Sequence, residues 1–337
     1  MNAPLLARSP EEGARLLALS FLDQARDARP RLADPADTEA LHDFRVALRR
    51  LRSCLRAYRS YLDESVPGKL AKKLKKLAQA TGPGRDTEVQ IAWLRGRSPH
   101  LASTHRAGLA WILAQLEQRM REAYEDSREE IERDFDKLEE ELRSRLSVYH
   151  AEIHLGAGAP QSTLADATAA ILKTQVEELE SHLARIEDAD DETEGHEARI
   201  SAKRVRYLLE PFVDDVPGAA PVVKRFKALQ DLLGDLHDAH VLELELAGAV
   251  ETAAAERARK LLDLTLAEAP DDNLLRAERR RARESGLISL ARLNRARRDR
   301  LFEALDAEWL EGKATDFLRE VEDLGEAMMA VAREATA

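Results

Sequence analysis

The chain has 337 residues, with 52 Lys+Arg against 63 Asp+Glu for a net charge of −11, and is 44% hydrophobic, 34% charged and 4% aromatic. That balance excludes wholesale disorder, and Cys54, the single cysteine, excludes an intrachain disulfide or a cysteine-built zinc finger. No apolar run approaches the roughly 20 residues of a membrane span and no basic segment leads into an apolar one near the start, so a soluble, untargeted, cytoplasmic protein is expected.

Strand signals are nearly missing, whereas apolar residues recur at three and four positions through most of the sequence, so the fold class is all-α. Ser9-Pro10-Glu11-Glu12 reads as a cap, a first-turn proline and two dipole-compensating acids, opening a helix to about Asp27. A long helix from about Asp37 should end by Val66-Pro67-Gly68, and the next should run to Ala80 and break at Thr81-Gly82-Pro83-Gly84. Helices near 86–96, 99–124 and 127–150 complete the first half. Leu155-Gly156-Ala157-Gly158-Ala159-Pro160 is the best boundary, dividing the chain into helical bundles over 1–155 and 156–337. Helices near 163–186, 195–214, 219–233 and 238–266 follow, with the acidic run 187–194 as a solvated loop. A basic stretch over 274–300 and a closing helix near 315–335 end the chain.

One pattern occurs twice, 154 residues apart. His42-x-x-Arg45-x-x-x-Arg49-Arg50-x-Arg52 matches His196-x-x-Arg199-x-x-x-Lys203-Arg204-x-Arg206 with the same gaps. A second block follows each copy: Leu77-x-x-x-x-Gly82-x-x-x-Asp86-x-x-Val89 aligns with Leu229-x-x-x-x-Gly234-x-x-x-Asp238-x-x-Val241. Lys72, Lys73 and Lys75 then fall opposite Lys224, Arg225 and Lys227. Two copies of one helical unit, related by an approximate twofold, are expected.

At 100° per residue, His42, Arg45, Arg49, Arg52 and Arg56 fall within an arc of roughly 80°, beside an apolar arc that holds Phe44, Leu48, Leu51 and Leu55. His196, Arg199, Lys203 and Arg206 repeat that stripe, with Glu210 where Arg56 stood. Lys69, Lys72, Lys73 and Lys76 form another row. The windows 41–60 and 69–86 each carry +5, and like charges at i,i+3 and i,i+4 are unfavourable by roughly 0.2–0.5 kcal/mol per pair. An anionic ligand would remove that penalty.

These motifs, with Arg206-Tyr207 and the block Leu229-Gln230-Asp231-Leu232-Leu233-Gly234-Asp235-Leu236-His237-Asp238, resemble the CHAD family, the conserved histidine α-helical domain. Gly82-Pro83-Gly84-Arg85-Asp86 is similar to that signature's first-half version, and the resemblance covers roughly residues 8 to 310. It implies two four-helix bundles about a pseudo-twofold, a basic cavity or surface that binds inorganic polyphosphate without catalysis or cofactor, and localisation to polyphosphate granules. Many relatives also carry a β-barrel catalytic domain with a Glu-x-Glu-x-Lys signature. Here Glu243-Leu244-Glu245-Leu246-Ala247 lacks the lysine and sits in helical sequence.

Guanidinium forks suit phosphate, so Arg45, Arg49, Arg50, Arg52, Arg56, Arg85, Arg199, Arg204, Arg206 and Arg225 are expected ligands. Lys69, Lys72, Lys73, Lys76, Lys203, Lys224 and Lys227 would act as mobile point charges. His42 and His196 would tune binding, because a bound polyanion favours their protonated form. Tyr207 offers a hydroxyl, or packs. Asp86 and Asp238 are N-caps or anchors that orient basic side chains, and Gly82 and Gly234 end helices. His237-x-x-His240 with Asp235 and Asp238, and His150-x-x-x-His154, have metal-ligand spacing without a convincing third ligand. No resident metal is expected. Ten Arg over 276–300, against Glu278, Glu284 and Asp299, either extend the anion surface or serve a solvated or partner-binding helix. The alternatives to a polyphosphate binder are a nucleic-acid-binding protein and a metal-dependent polyphosphate-processing phosphohydrolase.

Overall fold

The computed structural model describes residues 4–34, 37, 39–148, 162–267, 271–280 and 283–336. Its regular elements are helices, and no strand occurs among the described residues. Ser9 caps α1 (Pro10–Ala28), its Oγ accepting the Glu12 N–H at 3.3 Å. The repeat's first basic stripe lies on α2 (Ala40–Ala57), followed after Tyr58 by the short α3 (Arg59–Leu62). The first lysine row is on α4 (Gly68–Ala80), and Thr81-Gly82 then separates it from α5 (Pro83–Arg95).

Two pairs of expected helices are each one continuous rod. The expected breaks near 124–127 and 233–238 do not occur: α6 runs Arg106–Leu146 and α9 runs Ala219–Leu266. Gly234 therefore lies inside a helix and does not end one. The reason is visible in the repeat, where the first copy has Gly82-Pro83 and the second Gly234-Asp235. A proline removes an N–H and clashes with the preceding turn, while a lone glycine costs about 1 kcal/mol relative to alanine. Between these rods, α7 (Leu164–Leu183) opens with a reciprocal Thr163–Asp166 capping box and α8 (Glu192–Leu209) carries the second basic stripe. The chain closes with α10 (Asp272–Arg280), α11 (Arg283–Trp309) and α12 (Thr315–Glu334). The Leu155 to Pro160 boundary and the His150/His154 pair lie outside the described residues.

Packing follows the apolar faces. Helices α1, α2, α4 and the later part of α6 pack together, as do α7, α8, the first part of α9 and α12. Their buried residues form one continuous core, in which Phe44 meets Phe135 edge-on at 4.9 Å and Phe226 meets Phe317 at 5.0 Å. Each fully buried Leu or Phe contributes about 1.5–3 kcal/mol. A second core joins α5, the first part of α6, the middle of α9 and the first part of α11, including Leu94, Leu116, Leu246 and Leu287. Both cores draw on residues from either half of the chain. Tyr58 adds a polar tie across the halves, its hydroxyl 2.7 Å from Thr168 Oγ1.

Where α11 crosses the start of α6, Gly108 and Gly286 bring two backbones together, and a Cβ on Gly286 would press on the His105 carbonyl oxygen. Gly286→Ala is therefore expected to destabilise by about 1–3 kcal/mol, read as a lower Tm. Gly234→Ala, whose Cβ meets nothing within 4 Å, is expected to leave Tm unchanged or raise it.

Candidate polyanion site

The two basic stripes face each other. Helix α2 packs on α8, and the Lys203 ammonium on α8 sits among the guanidiniums of Arg49 and Arg52 from α2 and Arg199 and Arg206 from its own helix. Burial first, then these four cations, push Lys203 from 10.5 down to about 7. Arg52 is likewise lowered, by burial and then by Arg49 and Arg56. None of Arg45, Arg49, Arg52, Arg56, Arg199 or Lys203 has an ion pair among the described residues. A protein carrying 63 acids leaves these six cations without an ion-pair partner among the described residues.

The cluster opens into a cleft of about 870 Å³. One wall is α2, with Arg49, Arg52 and Arg56; another is α4, with Lys69, Lys72 and Lys75; Lys203, Arg204 and Tyr207 of α8 close it. Its floor is apolar, from Leu17, Phe21, Leu62 and Val66, which lowers the local dielectric and lengthens the reach of each charge. Asp63 is the one carboxylate among the described lining residues, and Arg59 engages it at 3.1 Å.

Deeper along α2, Arg45 is 5% exposed, and its Nε and one terminal nitrogen lack a hydrogen-bond partner. Burial and then Arg49 lower it to about 10. Arg199, its counterpart, also has an unpartnered Nε, as has the Nδ1 of His196. Each arginine has the aspartate of its own half beside it: Asp86 favours the charged form of Arg45, and Arg199 opposes the burial that pushes the Asp238 carboxyl upward. Asp86 itself adds to the rise of Asp238, so the two aspartates lie within electrostatic reach of each other. Neither is an N-cap, because Gly82 caps α5 and Asp238 lies within α9.

The other sequence-identified residues are engaged by partners or lie outside the cleft. Lys73 and Lys76 turn from the cleft toward α6, pairing with Glu141 at 3.0 Å and Glu130 at 2.9 Å. Lys75, missed from the lysine row, takes the cleft position instead, because on α4 it shares the side of Lys72 rather than that of Lys73. Arg50 reaches Glu210 at 3.0 Å and Arg206 lies 3.5 Å from the same carboxylate, so Glu210 ties α2 to the end of α8. Arg204 pairs with Glu178 at 3.0 Å and Arg85 with Glu88 at 2.8 Å. On α9, Lys227 pairs with Asp231 at 2.7 Å, Arg225 stacks on Phe317 at 4.2 Å and on Trp309 at 5.3 Å, and Lys224 is exposed. His42 is exposed on the first turn of α2. The Arg206 guanidinium lies over the Tyr207 ring at 4.9 Å.

The histidine pair on α9 does not gather a metal-binding group. His237 and His240 flank Glu192 at 3.7 and 2.7 Å, and no cluster of three or more His, Cys, Asp or Glu able to hold a metal ion occurs among the described residues. His237 is pushed below its usual range by burial, then by Arg199 and His196. The basic stretch over 276–300 is extensively neutralised. Arg298, buried, pairs with Asp190 at 2.6 Å and Glu243 at 3.0 Å, Arg297 with Asp235 at 2.7 Å and Arg283 with Glu256 at 3.1 Å. Asp190 belongs to the acidic run, which α11 thereby latches rather than leaving it wholly solvated. Glu245 of the Glu-Leu-Glu segment pairs with Arg119 at 2.8 Å.

The elements and site describe an all-helical protein whose facing basic helices border a cationic cleft. Residues 17–247, well over half of the chain, match the family model of the CHAD domain, and the chain belongs to that family. Its fold is similar to the crystal structure of the CHAD domain from the plant Ricinus communis, at 21% identity with a TM-score of 0.59, covering 82% of this chain and 93% of that one. No curated protein matches the chain. No described helix is long and apolar enough to cross a membrane.

Arg45 carries buried donors without acceptors, each of which costs about 1–3 kcal/mol. Arg45→Met is expected to raise the Tm of the ligand-free protein while weakening its affinity for polyanions, measured by thermal unfolding with and without polyphosphate.

Proposed function

We propose that this protein binds inorganic polyphosphate, as a receptor rather than a processing enzyme, in the cleft between α2, α4 and α8. The observation that carries the reading is the cluster around Lys203, where cations from two helices converge and Arg49, Arg52, Arg199 and Lys203 have no ion pair among the described residues. A chain of similar oxyanions supplies acceptors to the orphaned donors of Arg45 and Arg199 at one end and to Lys69, Lys72 and Lys75 at the other. Arginine offers paired donors that stay charged, and the lysines accommodate several registers of a repeating ligand. The matching Arg45–Asp86 and Arg199–Asp238 neighbourhoods support an approximately twofold site, in which each aspartate orients the arginine of its own half. Association with polyphosphate granules follows from such binding, and a fluorescently tagged chain should concentrate on them in cells that accumulate the polymer.

The test is calorimetric titration with long-chain polyphosphate at two salt concentrations, with single-stranded DNA of equal phosphate count as competitor. Affinity should fall steeply with salt through counterion release, and DNA should not displace the ligand. Effective displacement would assign the cleft to nucleic acid, and release of phosphate on adding Mg²⁺ or Mn²⁺ would reveal an enzyme. Arg49→Gln should weaken binding roughly tenfold, the loss of one charge-assisted contact. Lys73→Gln should change it much less, because Lys73 is engaged by Glu141 away from the cleft.

A further inference from the structure

Resting on the polyphosphate reading, we propose that ligand binding is coupled to protonation of the Lys203 ammonium, so that the cleft takes up a proton as it fills and loses affinity as the pH rises above neutrality. The two copies of the repeat differ here in one respect: Arg49 of the first is matched by Lys203 in the second. A guanidinium stays charged at any physiological pH, whereas a desolvated amine gives up its proton readily. The exchange therefore places one titratable cation in an otherwise permanently charged cluster.

The groups facing Lys203 determine the sign. Arg49 and Arg52 face it from α2 and Arg199 and Arg206 flank it on α8, all disfavouring its charge. Lys69, Lys72 and Lys75 of α4 line the same cleft and add to the positive field. The nearby acids are already engaged: Glu178 of α7 holds Arg204, Glu210 holds Arg50 and Arg206, and Asp238 of α9 lies beside Arg199 together with His237. Burial and these cations leave the free amine titrating at about 7, well below its ordinary 10.5. A polyanion laid in the cleft reverses the local field and returns the value upward. Well below pH 7 the ammonium is mostly present with or without ligand and little proton moves. Above pH 7 the free site is mostly neutral, and filling it draws a proton from solution.

The experiment is titration of the whole chain with long-chain polyphosphate from pH 6 to 9, in buffers of differing ionisation heat at each pH. Wild type should take up close to one proton per chain at pH 8 to 8.5, and its affinity should fall by up to about tenfold per pH unit there. Lys203→Arg, which makes the second copy like the first, should bind with a flatter profile and without that uptake. Lys203→Met should show low affinity at pH 6 as well as at pH 8. All three proteins carry the same histidines, so the difference between them isolates Lys203. Binding by Lys203→Arg with the wild-type slope and uptake would overturn the inference and leave the polyphosphate reading standing. No binding by any of the proteins at any pH would overturn both.

Discussion

Like charges held together raise the energy of a folded chain, and α2 with α8 hold Arg49, Arg52, Arg199, Lys203 and Arg206 around one point where, among the described residues, only Arg206 has an ion pair, to Glu210 at its edge. A protein selected for stability alone has an easy remedy in a chain with 63 acids. Elsewhere that remedy is used freely: Arg298 receives Asp190 and Glu243, Lys73 receives Glu141, Arg297 receives Asp235. The absence of pairing is therefore local, and it coincides with the cleft. Low-dielectric walls make the repulsion stronger than the same charges would produce in water, and they would strengthen attraction to an anion by the same factor.

The rest of the architecture holds that point in place. The apolar faces of α2 and α8 are anchored in one core by Phe44, Leu48 and Leu51 on one side and by Ala202, Val205 and Leu209 on the other. The Glu210 carboxylate ties Arg50 to Arg206, keeping the two helices at a fixed separation just beyond the cationic cluster. Tyr58 and Thr168 add a second tie between the halves. The long rods α6 and α9 pass from the core beneath the site into the second core, so displacement of one helix is resisted by both.

Much of this was legible in the sequence. The all-helical class follows from periodicity, the family from the doubled motif, and the existence of two matching basic stripes from the identical spacing of His42 to Arg52 and His196 to Arg206, whereas their facing one another emerges only when α2 packs on α8. What was not legible depended on which side of a helix meets which neighbour. Lys75 enters the cleft while Lys73 and Lys76 meet acids of α6 that are distant in sequence, and no local pattern announces such partners. The continuity of α9 through Gly234 was obscured because a glycine within a matched motif reads as a stop, although only the first copy carries the proline that enforces one. The crossing of Gly108 and Gly286 joins residues from opposite halves and is invisible until the helices are packed.

The central claim is that both halves hold a single anionic ligand in common. It is tested most directly by the number of oligophosphate chains bound per protein, in wild type and in variants that lose charge in one half only, Arg49→Gln with Arg52→Gln or Arg199→Gln with Arg206→Gln. The account predicts one chain per protein in wild type and a lowered affinity at the same stoichiometry in either variant. Two chains bound by wild type, with one retained at full affinity in each variant, would contradict it.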